Sequence, residues 1–152
     1  MKESVQLVAF MLDEQRYGLR LSAVERVVRT VEVTSLPSAP DIVIGVINLA
    51  GQVVPVVNIR RRFRLPEKEL SLNDRLIIAK TARRTVALLV DSASSLVEVP
   101  ESDVIHASNI LPRIDYIDGV ATLEDGMILI HDLDKFLSLE EERALDAAMT
   151  QD

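Results

Sequence analysis

The chain offers few residues of the kind that do chemistry, and their spacing decides how each is read. It has no cysteine. A thiol nucleophile, a thiolate-held metal and a disulfide framework are therefore excluded. There are two histidines. His106 lies in a stretch without clear periodicity, and His131 sits at a strand end beside Asp132. An imidazole next to a carboxylate suits general-base work. No Gly-rich phosphate loop, GxSxG elbow or HExxH helix accompanies it, so His131 is expected to pack half-buried against its neighbours. Asp115, Asp118, Asp125, Asp132 and Asp134 are dense enough to suggest a divalent cation, but they do not follow the D-x-D-x-D-G order of a calcium loop. They read as turn formers, with Asp132 capping a turn over Leu133 to Leu137. The expectation is a protein with no catalytic residue, no metal and no cofactor: not an enzyme.

The cations are the other candidates. Arg60, Arg61, Arg62 and Arg64 follow one another closely, and Arg83-Arg84 reads as a hairpin tip. The first group suits a solvated helical face, an acidic partner or phosphate. A small-barrel nucleic-acid or other protein-binding module using Arg60–Arg64 is thus one functional reading. Against nucleic acid stand 17 basic and 24 acidic residues, a net charge of −7, and only two Tyr, three Phe and no Trp for base stacking. Residues 138–152 alone carry Glu140, Glu141, Glu142, Asp146 and Asp152 against Arg143, which leaves the body close to neutral.

The elements that must position these residues are short and β-rich. At 152 residues with 48% apolar and 3% aromatic content, the core is aliphatic and needs no covalent staple. Val5 to Leu12, a turn at Asp13 to Arg16 and a return over Tyr17 to Leu21 form a hairpin. Val24, Val27 and Val28 fall at helical spacing after Ser22 and Glu25, which predicts a short helix over about residues 23–28. Glu32 to Leu36 reads as a strand ended by Pro37 and Pro40. Gly45 to Leu49 and Val53 to Val57 flank a tight turn, and Pro55 marks the second strand as an edge or a bulge. A helical turn follows at Arg60 to Arg64. Further strands are expected at Leu76–Ala79, Thr85–Val90 and Leu96–Val99, then a hairpin from Ile117–Leu123 to Met127–His131. Ser138 and Glu141 form a capping box that opens a terminal helix over about residues 139–149. No run approaches the ~20 apolar residues of a membrane span, and the start lacks a secretory signal's pattern. The expectation is a cytoplasmic protein built from small barrels.

An internal repeat sharpens that expectation. Gly45-Val46-Ile47-Asn48-Leu49 aligns with Gly119-Val120-Ala121-Thr122-Leu123, and Asn58-Ile59 aligns with Asp132-Leu133. The offset is 74 at both places with no gap. Two copies of a hairpin-then-turn unit predict a duplicated barrel.

The order of several segments resembles the CheW family of bacterial chemotaxis coupling proteins. These are Arg16-Tyr17-Gly18-Leu19, Leu36-Pro37-Ser38-Ala39-Pro40, the run from Gly45-Val46-Ile47-Asn48-Leu49-Ala50-Gly51 to Val57, and Val86 to Asp91. Gly119-Val120-Ala121 and Met127 to Leu133 continue the likeness, which covers about residues 5–140. The resemblance implies a mainly β fold of two SH3-like five-stranded β-barrel subdomains, with short helices and a C-terminal helix. As one domain over 1–152, the barrels would take about residues 15–80 and 81–137 plus the N-terminal strand. It also implies a non-enzymatic scaffold that couples the cytoplasmic tip of a methyl-accepting chemoreceptor to the regulatory domain of a CheA-type histidine kinase. Such a protein is cytoplasmic and recruited to receptor arrays, with no nucleic acid and no membrane insertion. Carried over by position, the receptor groove would be lined by Val24, Val27, Ala50 and Leu96. Kinase or ring contacts would fall at Val33, Ile42 and Ile44 on the first barrel and at Ile105 and Ile110 on the second.

Four positions depart from the family's pattern. Ala50 stands where Arg is usual, Arg26 where Glu is usual, and Asn58 where Asp is usual. His106-Ala107-Ser108 replaces a Pro-rich stretch. Replacing Arg removes a planar fork of five donors. These positions suggest a divergent adaptor that binds one of its partners differently or no longer binds it.

Overall fold

The computed structural model describes residues 3–29, 31–62, 65–66, 71, 73–106, 117–124, 126–135 and 137–150. The chain runs through β1 (Ser4–Leu12), β2 (Gln15–Arg20), a 3-10 turn at Leu21–Ala23, β3 (Val24–Arg29), β4 (Val43–Leu49), β5 (Gln52–Val57) and the single-turn helix α1 (Ile59–Arg62). It continues through β6 (Arg75–Lys80), β7 (Thr85–Val90), β8 (Ser92–Pro100), a 3-10 turn at Glu101–Asp103, β9 (Val104–His106), β10 (Ile117–Leu123) and β11 (Gly126–His131). A 3-10 turn at Leu133–Lys135 leads to the terminal helix α2 (Leu139–Thr150). The strands form a six-stranded sheet, β8-β1-β2-β11-β10-β9, and a five-stranded sheet, β3-β6-β7-β5-β4. The expected mainly β, two-barrel architecture with short helices is present, with a sixth strand in one sheet.

The repeat is exact in register. In β4–β5, Gly45, Val46, Ile47, Asn48 and Leu49 face Val56, Pro55, Val54, Val53 and Gln52. In β10–β11, Gly119, Val120, Ala121, Thr122 and Leu123 face Ile130, Leu129, Ile128, Met127 and Gly126. Every pair is displaced by 74, and the irregularity after Val43 recurs after Ile117. The parallel pairings correspond too, Val56 with Ala87 in one half and Ile130 with Gly18 in the other. Even β9 has a counterpart. Ile105 pairs with Val120, and in the first half Thr34 makes an isolated bridge to Val46. The strand expected at Glu32 to Leu36 is reduced to that bridge, with hydrogen bonds of 2.8 Å in both directions.

The second half is not contiguous. Its last two strands, β1 and β2, come from the beginning of the chain. The division between sheets therefore falls at residues 21–23 and at Asp91, not near residues 15 and 80. Three apolar clusters follow from strand alternation. Ile47, Val54, Val56, Leu76, Ile78 and Ala87 fill the first barrel. Leu7, Ala9, Val99, Val104, Ala121, Ile128 and Ile130 fill the second. The largest cluster joins both halves: Phe10, Tyr17 and Leu19 meet Val57, Ile77 and Leu88, and Leu145 of α2 closes it.

Two local expectations are corrected. Residues 24–29 form a strand, not a helix. The register shifts between Val24 and Arg26, so Glu25 is an extra residue. That bulge places Val24 (opposite Ala79) and Val27 (opposite Ile77) on one face although they are three apart. A bulged strand thus imitates helical spacing. Pro55 lies in an internal strand, not at an edge. Its missing N–H is tolerated because the pairing to β7 involves only Val56 and Val57.

Candidate partner-binding surface

The chemistry-bearing residues resolve into structural roles. His131 is buried, with its ring 4.9 Å from the Tyr17 ring and 6.2 Å from that of Phe10. It is a core residue, more deeply buried than the sequence suggests. Asp132 accepts the Asp134 N–H at 3.1 Å and so caps the turn that follows β11, as expected. At the equivalent place, Asn58 accepts the Arg60 N–H at 3.1 Å. Asn58 thus makes in one half the cap that Asp132 makes in the other. Asp134 accepts the Ala82 N–H at 2.7 Å. Among the described residues no group of three acidic or imidazole side chains could hold a metal; Asp115 and Asp125 lie outside them.

The arginine group is only partly a solvated face: Arg61 is exposed, Arg62 half-buried and Arg60 buried. Arg60 is buried and holds Asp91 through two contacts of 2.7 and 2.6 Å, Asp13 at 2.8 Å and the Pro66 carbonyl at 3.1 Å. Asp13 sits at the β1–β2 turn of one half, and Asp91 at the crossing from one sheet to the other, so this guanidinium ties the halves together. Burial pulls its pKa down, but hydrogen bonds and charge from Asp13 and Asp91 outweigh that and leave it raised. Arg62 pairs with Glu141, and Arg61 donates to the Asp41 carbonyl. Arg64 lies outside the described residues. Arg60 and Arg62 are thus taken up by internal ion pairs, which weakens the case for a nucleic-acid surface at Arg60–Arg64. Arg84 is likewise more than a hairpin tip. It binds Glu142 at 3.0 Å and also Asp146, clamping α2 onto the β6–β7 loop. Burial lowers its pKa and the two carboxylates raise it further, for a net rise.

What remains for function is apolar and exposed. Val27 on β3 and Leu96 on β8 are 40% and 54% exposed. They occupy equivalent positions: Val27 faces Ile77 of β6, and Leu96 faces Val8 of β1. Both lie on edge strands, on the side of the sheet that carries the joint core, and β8 contacts β6. Val24 is partly buried against that core. Ala50 is exposed at the β4–β5 turn, with φ of 51° beside Gly51 at 88°. The turn is braced by the Gly51 N–H donating to Asn48 Oδ1 at 2.9 Å. Arg26 is exposed, on the opposite face of β3 from Val27.

The other expected contacts divide. Val33 and Ile44 are partly buried against the first barrel's core, and Ile105 is exposed on β9. Ile42 is buried in the joint core and presents no surface. Ile110 and residues 107–108 lie outside the described residues. One pair of exposed residues was missed. Val53 and Met127, each 55% exposed, are 74 apart and are the second residues of equivalent strands. The repeat offset itself could have flagged them.

Two β-barrel halves with a shared core carry exposed aliphatics on their edge strands, a surface suited to covering by a partner. The match to known proteins agrees. Residues 6–141 match the family described as CheW-like domain, and the chain belongs to that family. A chemotaxis protein CheW from Rhizobium meliloti is 31% identical over 91% of this chain and 91% of its own length. One from Treponema pallidum is 28% identical over 91% of this chain and 85% of its own. The crystal structure of the scaffolding protein TtCheW from Thermoanaerobacter tengcongensis superposes with a TM-score of 0.83 at 27% identity, covering 93% of this chain and 96% of that one. The family is one of non-enzymatic scaffolds that couple chemoreceptors to the kinase CheA. Among the described residues no helix is long and apolar enough to cross a membrane.

Proposed function

We propose that this chain binds a receptor helix along the seam between its two edge strands, β3 and β8, with Val27 and Leu96 as the anchors. The carrying observation is their equivalence: two exposed aliphatics at matching positions, both on the side of the joint core. An amphipathic helix laid over that seam would cover both, with Val24 beside the floor and Ala50 at the rim. The CheA-type regulatory domain would take the Val33–Ile44 side of one barrel and the Ile105 edge of the other. In the cell the protein would be cytoplasmic and held at receptor arrays. Without Arg at position 50, the rim presents a methyl group where the family usually presents a cation, which fits a receptor subset with less acidic tips.

The test is a pair of titrations, against a chemoreceptor tip fragment and against a CheA regulatory domain from the same organism. Val27→Asp and Leu96→Asp should each weaken receptor binding at least about tenfold and leave kinase binding within about twofold. If both variants bind the receptor normally, the seam is not the receptor site. Ala50→Arg should change which receptor tips bind; unchanged preference would remove the case for divergence.

A further inference from the structure

A seam built from two equivalent strands has no direction of its own, so its anchors alone would accept a helix either way round. The correspondence runs past those anchors. On β3, Val24, Val27 and Arg29 face Ala79, Ile77 and Arg75 of β6. On β8, Ala93, Leu96 and Glu98 face Phe10, Val8 and Gln6 of β1. Each strand carries one extra residue between the first two of these, so the three places match one by one. The first two are apolar in both halves. The third is Arg29 in one and Glu98 in the other, both exposed. The connections set the two strands in opposite senses. Arg20 at the end of β2 faces Leu7, which faces Val97, and the turn at Leu21–Ala23 leads from there to Val24. At the other end Arg29 faces Arg75, which faces Val90, and Asp91 leads directly to Ser92. Arg29 therefore stands at the Ser92 end of the seam and Glu98 at the Val24 end. Each lies about 7 Å beyond its anchor along its own strand.

We propose that Arg29 and Glu98 fix the direction of the bound helix, with its acidic end at Arg29 and its basic end at Glu98. This rests on the reading of the seam as the receptor site. Neither charge is spent elsewhere. Among the described residues Arg29 enters no ion pair. Glu98 Oε1 accepts the Ser4 hydroxyl at 2.6 Å, a neutral donor that leaves its charge in place. The opposite charges nearby are engaged or face away. At the Arg29 end, Asp13 and Asp91 are held by Arg60. Asp74 and Asp91 line a small cavity with Leu89, which packs on the first barrel's core, whereas Arg29 shares the Val90 face of the joint core. Glu32 precedes Thr34, whose bridge lies at the β4 edge. The residue facing Arg29 is a second cation, Arg75, which donates to the Asn73 and Asp74 carbonyls. At the Glu98 end, Arg20 faces Leu7 and so lies on the second barrel's side of its sheet. Lys80 lines a cavity with Asp132 and Asp134. Duplication thus supplies a symmetric pair of anchors, and one position of opposite sign breaks the symmetry.

The experiment titrates the full chain, at low salt, with a synthetic amphipathic helix that has a leucine stripe, two glutamates at its N-terminal end and two lysines at its C-terminal end. Arg29→Glu and Glu98→Lys should each weaken binding about two- to fivefold, and the effect should shrink in about 0.5 M salt. The double reversal should bind within about twofold of wild type, because the helix then lies the other way round. A nitroxide on Ser92→Cys reads the direction, since the chain has no cysteine of its own and Ser92 is exposed. It should broaden the NMR signals of the glutamate end with the wild-type charges and of the lysine end with the double reversal. Circular dichroism on each variant confirms the fold. Indifference to the single reversals, a double reversal that binds more weakly than either single, or broadening of the same peptide end in both proteins would overturn the proposal and leave the seam standing. Peptide binding that Val27→Asp and Leu96→Asp do not weaken would strike the seam itself. No peptide binding at about 1 mM protein would overturn the proposal where the receptor tip fragment binds, and the seam where it does not.

Discussion

The two halves share one register but solve their loop ends differently. In the first half, the β6–β7 turn spans Thr81 to Arg84 and carries cations. In the second, the equivalent β1–β2 turn is two residues, Asp13 and Glu14, both at positive φ (56° and 93°) and both acidic. The strands are constrained by pairing and by a core, so duplication leaves them matched. The turns answer to neither constraint and have been turned to other ends. Arg84 holds the terminal helix, and Asp13 accepts the Arg60 clamp. Both clamps span the repeat boundary, which the duplication alone would not supply.

Gly45 gives the sharpest test of the shared register. A Cβ there would lie 2.2 Å from the Thr34 carbonyl oxygen, which is backbone and cannot swing away. Gly45→Ala should lower stability in urea by roughly 3 kcal/mol, at the upper end of overpacking costs, because the Thr34 bridge must break. A loss under about 1 kcal/mol would mean that the bridge is not the structural counterpart of β9. Arg60→Met comes next. It strands Asp91 and Asp13 and cuts the link between halves. The cost should be about 2 kcal/mol, discounted from the buried-pair range because both carboxylates are partly exposed. Both arginine pKa values are raised, so the guanidinium contribution is full below the unfolded value and fades only as pH climbs through the folded one. The difference between wild type and Arg60→Met should therefore stay flat from pH 7 to strongly alkaline conditions; a fall near pH 8 would assign the clamp to another group.

The terminal caps compare the halves directly. Asn58→Ala and Asp132→Ala each remove one side-chain acceptor at equivalent places. Each should cost about 1 kcal/mol by chemical denaturation. A cost at Asn58 more than twice that at Asp132 would show that the first half's cap also supports the Arg60 network.

How much of this is legible in the sequence depends on the range of the interaction. The repeat, both β4–β5 and β10–β11 hairpins, and the capping box are local patterns. The Ser138 N–H donates to Glu141 at 2.8 Å, and the Glu141 N–H to Ser138 at 3.1 Å, as the spacing requires. What is illegible is long-range or hidden by a bulge. Nothing in Tyr17-Gly18 announces that they lie parallel to Leu129 and Ile130. The extra residue at Glu25 turns a strand into apparent helical spacing. Arg60 looks like its neighbours in the sequence because its burial depends on Asp13 and Asp91, each distant along the chain. The proposed receptor anchors come from resemblance; the equivalence of Val27 and Leu96 needs the register of both edge strands.

The smallest expected effect falls on the turn where the halves differ most. Glu14 at φ of 93° occupies a conformation that L side chains rarely adopt. A two-residue hairpin turn with both φ values positive favours Asn-Gly or Asp-Gly, and this chain has Asp-Glu. Glu14→Gly relieves the strain, while the greater freedom of glycine in the unfolded chain gives part of it back. The net should be a gain of about 0.5 to 1 kcal/mol, read as a higher urea midpoint with an unchanged slope. Asp13 must stay, since its carboxylate holds Arg60 and its N–H donates to Asp91 at 2.9 Å. If Glu14→Gly destabilises instead, Glu14 is making a favourable contact that offsets the backbone strain, and the acidic tip would be a functional surface of the second half rather than a tolerated turn.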